Sequence, residues 1–187
     1  MQPSGSLHPP AVGAHLTERL TAALRAVPDF PREGIIFRDI TPVVGDPLLF
    51  RDVLDAMAGA CGGDRVDVVA GIEARGFVFG GALAYRLGAG FVPIRKQGRL
   101  PAAVESVSYA LEYGEAVLEM HADAVRAGQN VVIVDDLLAT GGTASATIQL
   151  VERLGARVAR LLFIVELGDL GGASSLGQHS HNSLITI

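Results

Sequence analysis

The stretch "VVIVDDLLATGGTA", Val131 to Ala144, constrains this chain more than any other. Four β-prone apolar residues run into two adjacent carboxylates, and a loop of small residues follows at once. An unbroken apolar run of this kind reads as a strand buried on both faces, the situation of a parallel sheet. Helical spacing resumes in "GTASATIQLVERLGA" and stops at Gly155, so strand, loop and helix follow one another as a βα unit. A plain turn needs neither two carboxylates nor two threonines.

Consecutive backbone amides in Ala139, Thr140, Gly141, Gly142 and Thr143 can curl into an anion-binding nest, and the following helix presents its positive end to the same spot. Thr140 and Thr143 add hydroxyl donors, while Gly141 and Gly142 let an anion approach the backbone. A helix cap accounts for one of Asp135 and Asp136, not for both. Two acceptors beside a bound phosphate fit the cis hydroxyls of a ribose 5-phosphate and would draw Mg2+ close through water. The patterns G-x-x-x-x-G-K-[ST] and G-x-G-x-x-G are both absent, which speaks against an NTPase and a dinucleotide site.

The rest of the chain has the same alternation. "HLTERLTAALRAV" carries Leu16, Leu20, Leu24 and Val27 at helical spacing, and Pro31 and Gly34 then break it before an extended segment to Arg38. Residues 47–61 read as a helix with Asp46 as N-cap and Pro47 at its first position. Strands are expected at 66–72, 90–96, 129–137, 158–167 and 182–187, and a helix at 77–87. Residues 106–113 and 116–121 suggest a hairpin around Gly114. The expected fold class is α/β, a mostly parallel central sheet flanked by helices, with ligands at the carboxyl ends of the strands.

The 187 residues suffice for one domain with a real core. Net charge is −5, so no global basic field exists for nucleic acid or an anionic membrane. No apolar run approaches the roughly 18 residues a membrane span needs. Met1 to Pro10 is polar and proline-rich without an apolar core, and a cytoplasmic setting is expected. The single cysteine, Cys61, reads as structural filler, and the five histidines do not converge on a metal pattern.

Residues 131–144 resemble the phosphoribosyl-diphosphate (PRPP) motif of the type I phosphoribosyltransferases. Three further stretches narrow the resemblance to members that act on adenine: "DFPREGIIFRDITPVVGDP" (29–47), "GIEARGFVFG" (71–80), and "FVPIRKQGRLP" followed by "YALEYG" (91–114). The resemblance spans roughly residues 20–170 and implies the type I phosphoribosyltransferase fold. On it, residues 1–13 are a flexible lead-in and 14–187 one domain, with a hood at about 28–45 and a mobile lid hairpin at about 98–121.

The resemblance also implies roles. Glu73, Ala74 and Arg75 would form the diphosphate loop, with a non-proline cis peptide at Glu73–Ala74, and Arg95 and Lys96 would add cations. Ile36, Phe37, Arg38 and Leu167 would hold adenine. Glu112 would handle a purine proton, with Arg75 and Lys96 as its catalytic partners, and Tyr113 would pack under the lid. The implied reaction transfers 5-phosphoribosyl from PRPP to adenine with Mg2+, giving AMP and diphosphate, in a homodimer. The bland alternatives are a surface salt bridge for Arg75, a solvated strand end for Arg95 and Lys96, core packing for Phe37 and a solvent-facing hairpin position for Glu112. Arg99 is as readily a basic loop residue as a ligand contact. Two rival functions remain open: transfer to another base, or a PRPP-sensing regulator of the same fold. The acidic charge and the short segment ahead of Asp29 disfavour a DNA-binding regulator.

Overall fold

Strand β3 (Val68–Ile72) is buried at every residue and pairs in parallel with β4 (Gly90–Lys96) on one side and β7 (Asn130–Leu138) on the other. It lies near the middle of a seven-stranded sheet in a computed structural model that describes residues 13–111 and 114–187. The chain divides into two compact units, one reaching to Gly63 and one from Asp64 to Ile187.

In the second unit the sheet order is β5-β6-β4-β3-β7-β8-β9, with β5 at Val104–Leu111, β6 at Gly114–His121, β8 at Arg157–Glu166 and β9 at His181–Thr186. The five strands from β4 to β9 in that order run parallel; β5 and β6 form the antiparallel hairpin expected from the sequence. The hairpin joins the sheet where Arg95 and Lys96 of β4 pair with Glu119 and Leu118 of β6. Its base is part of the core, since Val107, Leu118 and Met120 are buried.

Successive residues of a strand face opposite sides of the sheet, and the two helices of this unit use both. α5 (Gly142–Arg153) contributes Ala146, Leu150 and Val151 to one cluster with Val68, Ala70, Ile72, Val131 and Ile133. α4 (Gly76–Leu87) lies on the other face, against Gly71. A Cβ at Gly71 would stand 2.7 Å from the Phe91 ring and 2.9 Å from the Gly76 carbonyl, so only glycine admits the start of α4 this close. The sheet is therefore mostly parallel and covered on both sides, as the apolar strand runs implied.

The unit that ends at Gly63 holds α1 (Ala14–Ala23), the antiparallel pair β1 (Arg25–Pro28) and β2 (Ile36–Asp39), a short α2 (Thr41–Gly45) and α3 (Pro47–Ala60). α3 begins as its sequence indicates: Asp46 accepts hydrogen bonds from the amides of Leu48 and Leu49, and Pro47 occupies the first turn. The helix expected to continue to Val27 instead stops at Ala23. Leu24 turns extended, and Arg25 to Pro28 pair with Asp39 to Ile36, so cross-strand bonds override the helical spacing of Leu24 and Val27.

Candidate active site

The carboxyl ends of β3, β4 and β7 carry the three loops that the sequence marks out. After β7, Asp135 and Asp136 are still strand residues, with Asp135 paired to Phe163 of β8. That removes the helix-cap alternative, because the residue capping α5 is Gly141. Asp136 is buried, while Asp135 is half-buried and accepts a hydrogen bond from the Asp136 amide at 2.9 Å. Burial pushes both carboxyls up from their ordinary value, and at Asp135 the neighbouring charge of Asp136 adds to it. At Asp136 the Arg75 guanidinium works in the opposite direction.

Arg75 sits at the start of α4, and its Nε lies 2.9 Å from Asp136 Oδ2. The pair meets the distance for ion pairing, yet among the described residues the buried Oδ2 finds no properly directed hydrogen bond. A buried carboxylate oxygen left in this state costs free energy and suits a hydroxyl or a metal-bound water.

Beside it opens a cavity of about 220 Å³, lined by Arg75, by every residue from Asp135 to Ala144, and by Phe163. The helix that starts here has no side-chain cap, which leaves the amides of its first turn without intrahelical partners. Gly141, at φ +82°, adopts the left-handed conformation that turns the chain into the helix. Thr143 Oγ1 faces the Tyr109 hydroxyl at 3.4 Å, a long contact that leaves it adaptable. Carboxylates, hydroxyls and unpaired amides thus share one concave site. Such a set has the chemistry to bind a polyol phosphate.

The loop after β3 contains a cis peptide between Glu73 and Ala74, at the position that the resemblance implied. Glu73 meets cations rather than the cavity. Its carboxylate accepts from Arg95 Nε and Nη2 at 3.3 Å, from the Lys96 amide at 3.1 Å, and from Arg99. Burial pushes the Glu73 carboxyl up, but the bonds from Arg95, the Lys96 amide and Arg99 outweigh it and hold it below its ordinary value. Arg99, which the sequence left undecided, is thus tied to the same carboxylate as Arg95. Neither Arg95 nor Lys96 lines the cavity at Asp135 to Ala144.

Of the residues assigned to adenine, Ile36, Phe37 and Arg38 lie on β2 in the first unit. Ile36 is 57% exposed, and Phe37 meets Phe30 edge-on with ring centres 5.1 Å apart. Leu167 follows β8 in the second unit, its amide bonded to the Leu138 carbonyl at 2.9 Å. Glu112 and Tyr113 fall outside the described residues, as does the lead-in up to residue 12.

Sequence reasoning passed over two contributors. Tyr109 stands against Gly142, where a Cβ would lie 3.2 Å from its ring. The segment Gly172–Leu176 backs the Ala139–Thr143 loop, with Ser175 Oγ donating to the Thr140 carbonyl at 2.8 Å. The doubled glycine at 171 and 172 was the available hint of a close backbone approach.

A parallel sheet with a carboxylate pair and an uncapped helix start at its carboxyl edge suits a sugar phosphate. Residues 47–174 match the family model of the phosphoribosyl transferase domain, and the chain belongs to that family. Among its relatives, an adenine phosphoribosyltransferase of Methylobacterium nodulans is 54% identical over 84% of this chain and 87% of its own. The crystal structure of the adenine phosphoribosyltransferase from Thermoanaerobacter pseudethanolicus is similar at a TM-score of 0.89, with 51% identity over 91% of this chain and 99% of that one. The Saccharomyces cerevisiae adenine phosphoribosyltransferase, solved with an imino-altritol bisphosphate and adenine, aligns at a TM-score of 0.87 and 41% identity, covering 92% and 99%.

Proposed function

We propose that this chain transfers the 5-phosphoribosyl group of PRPP to adenine, giving AMP and diphosphate in purine salvage. The observation that carries the reading is the Asp135–Asp136 pair beside the uncapped start of α5. It is supported by relatives of more than 50% identity that are named for this activity.

The bond from C1′ to the diphosphate oxygen breaks, its electron pair leaves with diphosphate, and N9 of adenine forms the new bond with inversion. Asp135 and Asp136 accept from the two ribose hydroxyls, which stabilises a carboxylate pair that burial otherwise disfavours. Ala139 to Thr143 hold the 5-phosphate through amides and hydroxyls, binding energy that helps reach the transition state. Arg75, Arg95 and Lys96 receive the charge that develops on diphosphate, and Glu73 and Ala74 shape their loop. Glu112 takes the N9 proton, and Tyr113 on the lid hairpin keeps water from the sugar cation. Leu167, which follows β8, is the contact the second unit offers the base.

The donor set fits Mg2+ arriving with PRPP. Among the described residues Asp136 Oδ2 is buried without a hydrogen bond, and no group of three or more His, Cys, Asp or Glu could hold an ion unaided. Asp135 and Asp136 would hold it through water, with PRPP oxygens completing the shell. Held there, the ion would supply charge neutralisation to the diphosphate.

A homodimer in the cytoplasm completes the proposal; among the described residues no helix is long and apolar enough to cross a membrane. Diphosphate release, followed with PRPP, Mg2+ and each base in turn, tests it. Adenine should be the preferred acceptor over hypoxanthine, guanine, xanthine and orotate. Release with another base and none with adenine would reassign the acceptor.

A further inference from the structure

We propose that Ser175 is a positioning residue for the phosphate loop, acting through the Thr140 carbonyl without touching the ligand. The proposal rests on the reading that residues 139–143 hold the 5-phosphate. The loop's own turn into the helix carries no side-chain tie, since Gly141 offers α5 no side-chain cap and is itself at φ +82°. The fixing comes from a segment about thirty residues further on.

That segment touches the loop at successive residues. A Cβ on Gly172 would stand 2.1 Å from the Ala139 carbonyl oxygen, and one on Gly141 would stand 2.5 Å from the Gly172 carbonyl oxygen. Between these contacts Ser175 Oγ donates to the Thr140 carbonyl at 2.8 Å. The segment is anchored in turn. Leu176 is buried in the core cluster, and the His179 ring bridges the Leu176 carbonyl at 2.9 Å and Glu152 of α5 at 3.0 Å. Tyr109 packs against the loop at Gly142, where a Cβ would lie 3.2 Å from its ring.

Holding the Thr140 carbonyl fixes the peptide plane that leads into Gly141, and so fixes where the following amides aim. An amide donates well only along its own N–H direction, so a rotated plane loses the anion. Glycine at 141 tolerates that rotation, which makes an external tie necessary. The tie should act on the phosphate end of the substrate and leave the base end alone.

Ser175→Ala should raise the dissociation constant for ribose 5-phosphate and the KM for PRPP about five- to tenfold, the loss of one hydrogen bond. The KM for adenine and the melting temperature should stay near wild type, and Ser175→Thr should restore PRPP binding. Gly142→Asp, which sets a carboxylate in the loop itself, serves as the control for the underlying reading. If Gly142→Asp abolishes ribose 5-phosphate binding while Ser175→Ala leaves it unchanged, the positioning role falls alone. If neither variant weakens binding, the phosphate reading falls and takes the positioning role with it. An equal rise in both KM values with a lower melting temperature, or no recovery in Ser175→Thr, would reduce Ser175 to a structural residue and overturn the proposal.

Discussion

Arg75 Nε lies 2.9 Å from Asp136 Oδ2, joining the start of α4 to the carboxyl end of β7. The contact is unequal, for the arginine side chain is 40% exposed and the aspartate 3%. The aspartate is thus the enclosed partner and the arginine the one that reaches solvent. Arg75→Ala would strand a buried carboxylate and remove a cation from the leaving group. Turnover should fall about 100-fold or more, and stability by about 1–3 kcal/mol, read by steady-state kinetics and urea unfolding.

Asp135 offers the opposite outcome. Its folded carboxyl is raised, so its contribution to stability is greatest below the ordinary value of 3.8 and is lost as pH rises through the folded value. Asp135→Asn removes that cost. The variant should be more stable than wild type at neutral pH by about 1–2 kcal/mol while losing activity, and the gain should shrink toward pH 4. Thermal unfolding across that range checks it; a variant less stable than wild type at pH 7 would show that the pair is not under strain from its charges.

Glu73 gives the reverse sign. Its carboxyl is held low, so its contribution is present above the ordinary value of 4.5 and is lost as pH falls through the lower folded value. Glu73→Gln should cost about 1–3 kcal/mol at pH 7 by freeing Arg95 and Arg99, and little once the pH has fallen below the lowered folded value. Urea unfolding at both ends of that range measures the difference.

Much of this site could be read from the chain because its signals are local. The carboxylates, the glycines and the threonines of 135–143 are contiguous, and the helix that follows is announced by its periodicity. The Asp46 cap and the buried strands were legible for the same reason. What escaped depends on distance. β1 forms because Arg25 to Pro28 find β2, although Leu24 and Val27 keep helical spacing. The Thr140–Ser175 tie spans 35 positions. Arg99 read equally as a loop cation or a ligand contact because its partner Glu73 lies 26 residues earlier.

Gly141 offers a test of the loop's geometry. A side chain there must adopt φ +82° and would meet the Gly172 carbonyl oxygen at 2.5 Å. Gly141→Ala should lower stability by about 1–3 kcal/mol and weaken ribose 5-phosphate binding, measured together by thermal unfolding and calorimetric titration.

The most direct test of the ribose site is the kcat/KM for PRPP of the Asp135→Asn, Asp136→Asn double variant, measured as AMP formed from adenine. Two charged acceptors are lost from the sugar, so the value should fall about 100-fold or more in a protein that still folds. A folded double variant with near wild-type kcat/KM would contradict the assignment of the carboxylate pair to the ribose.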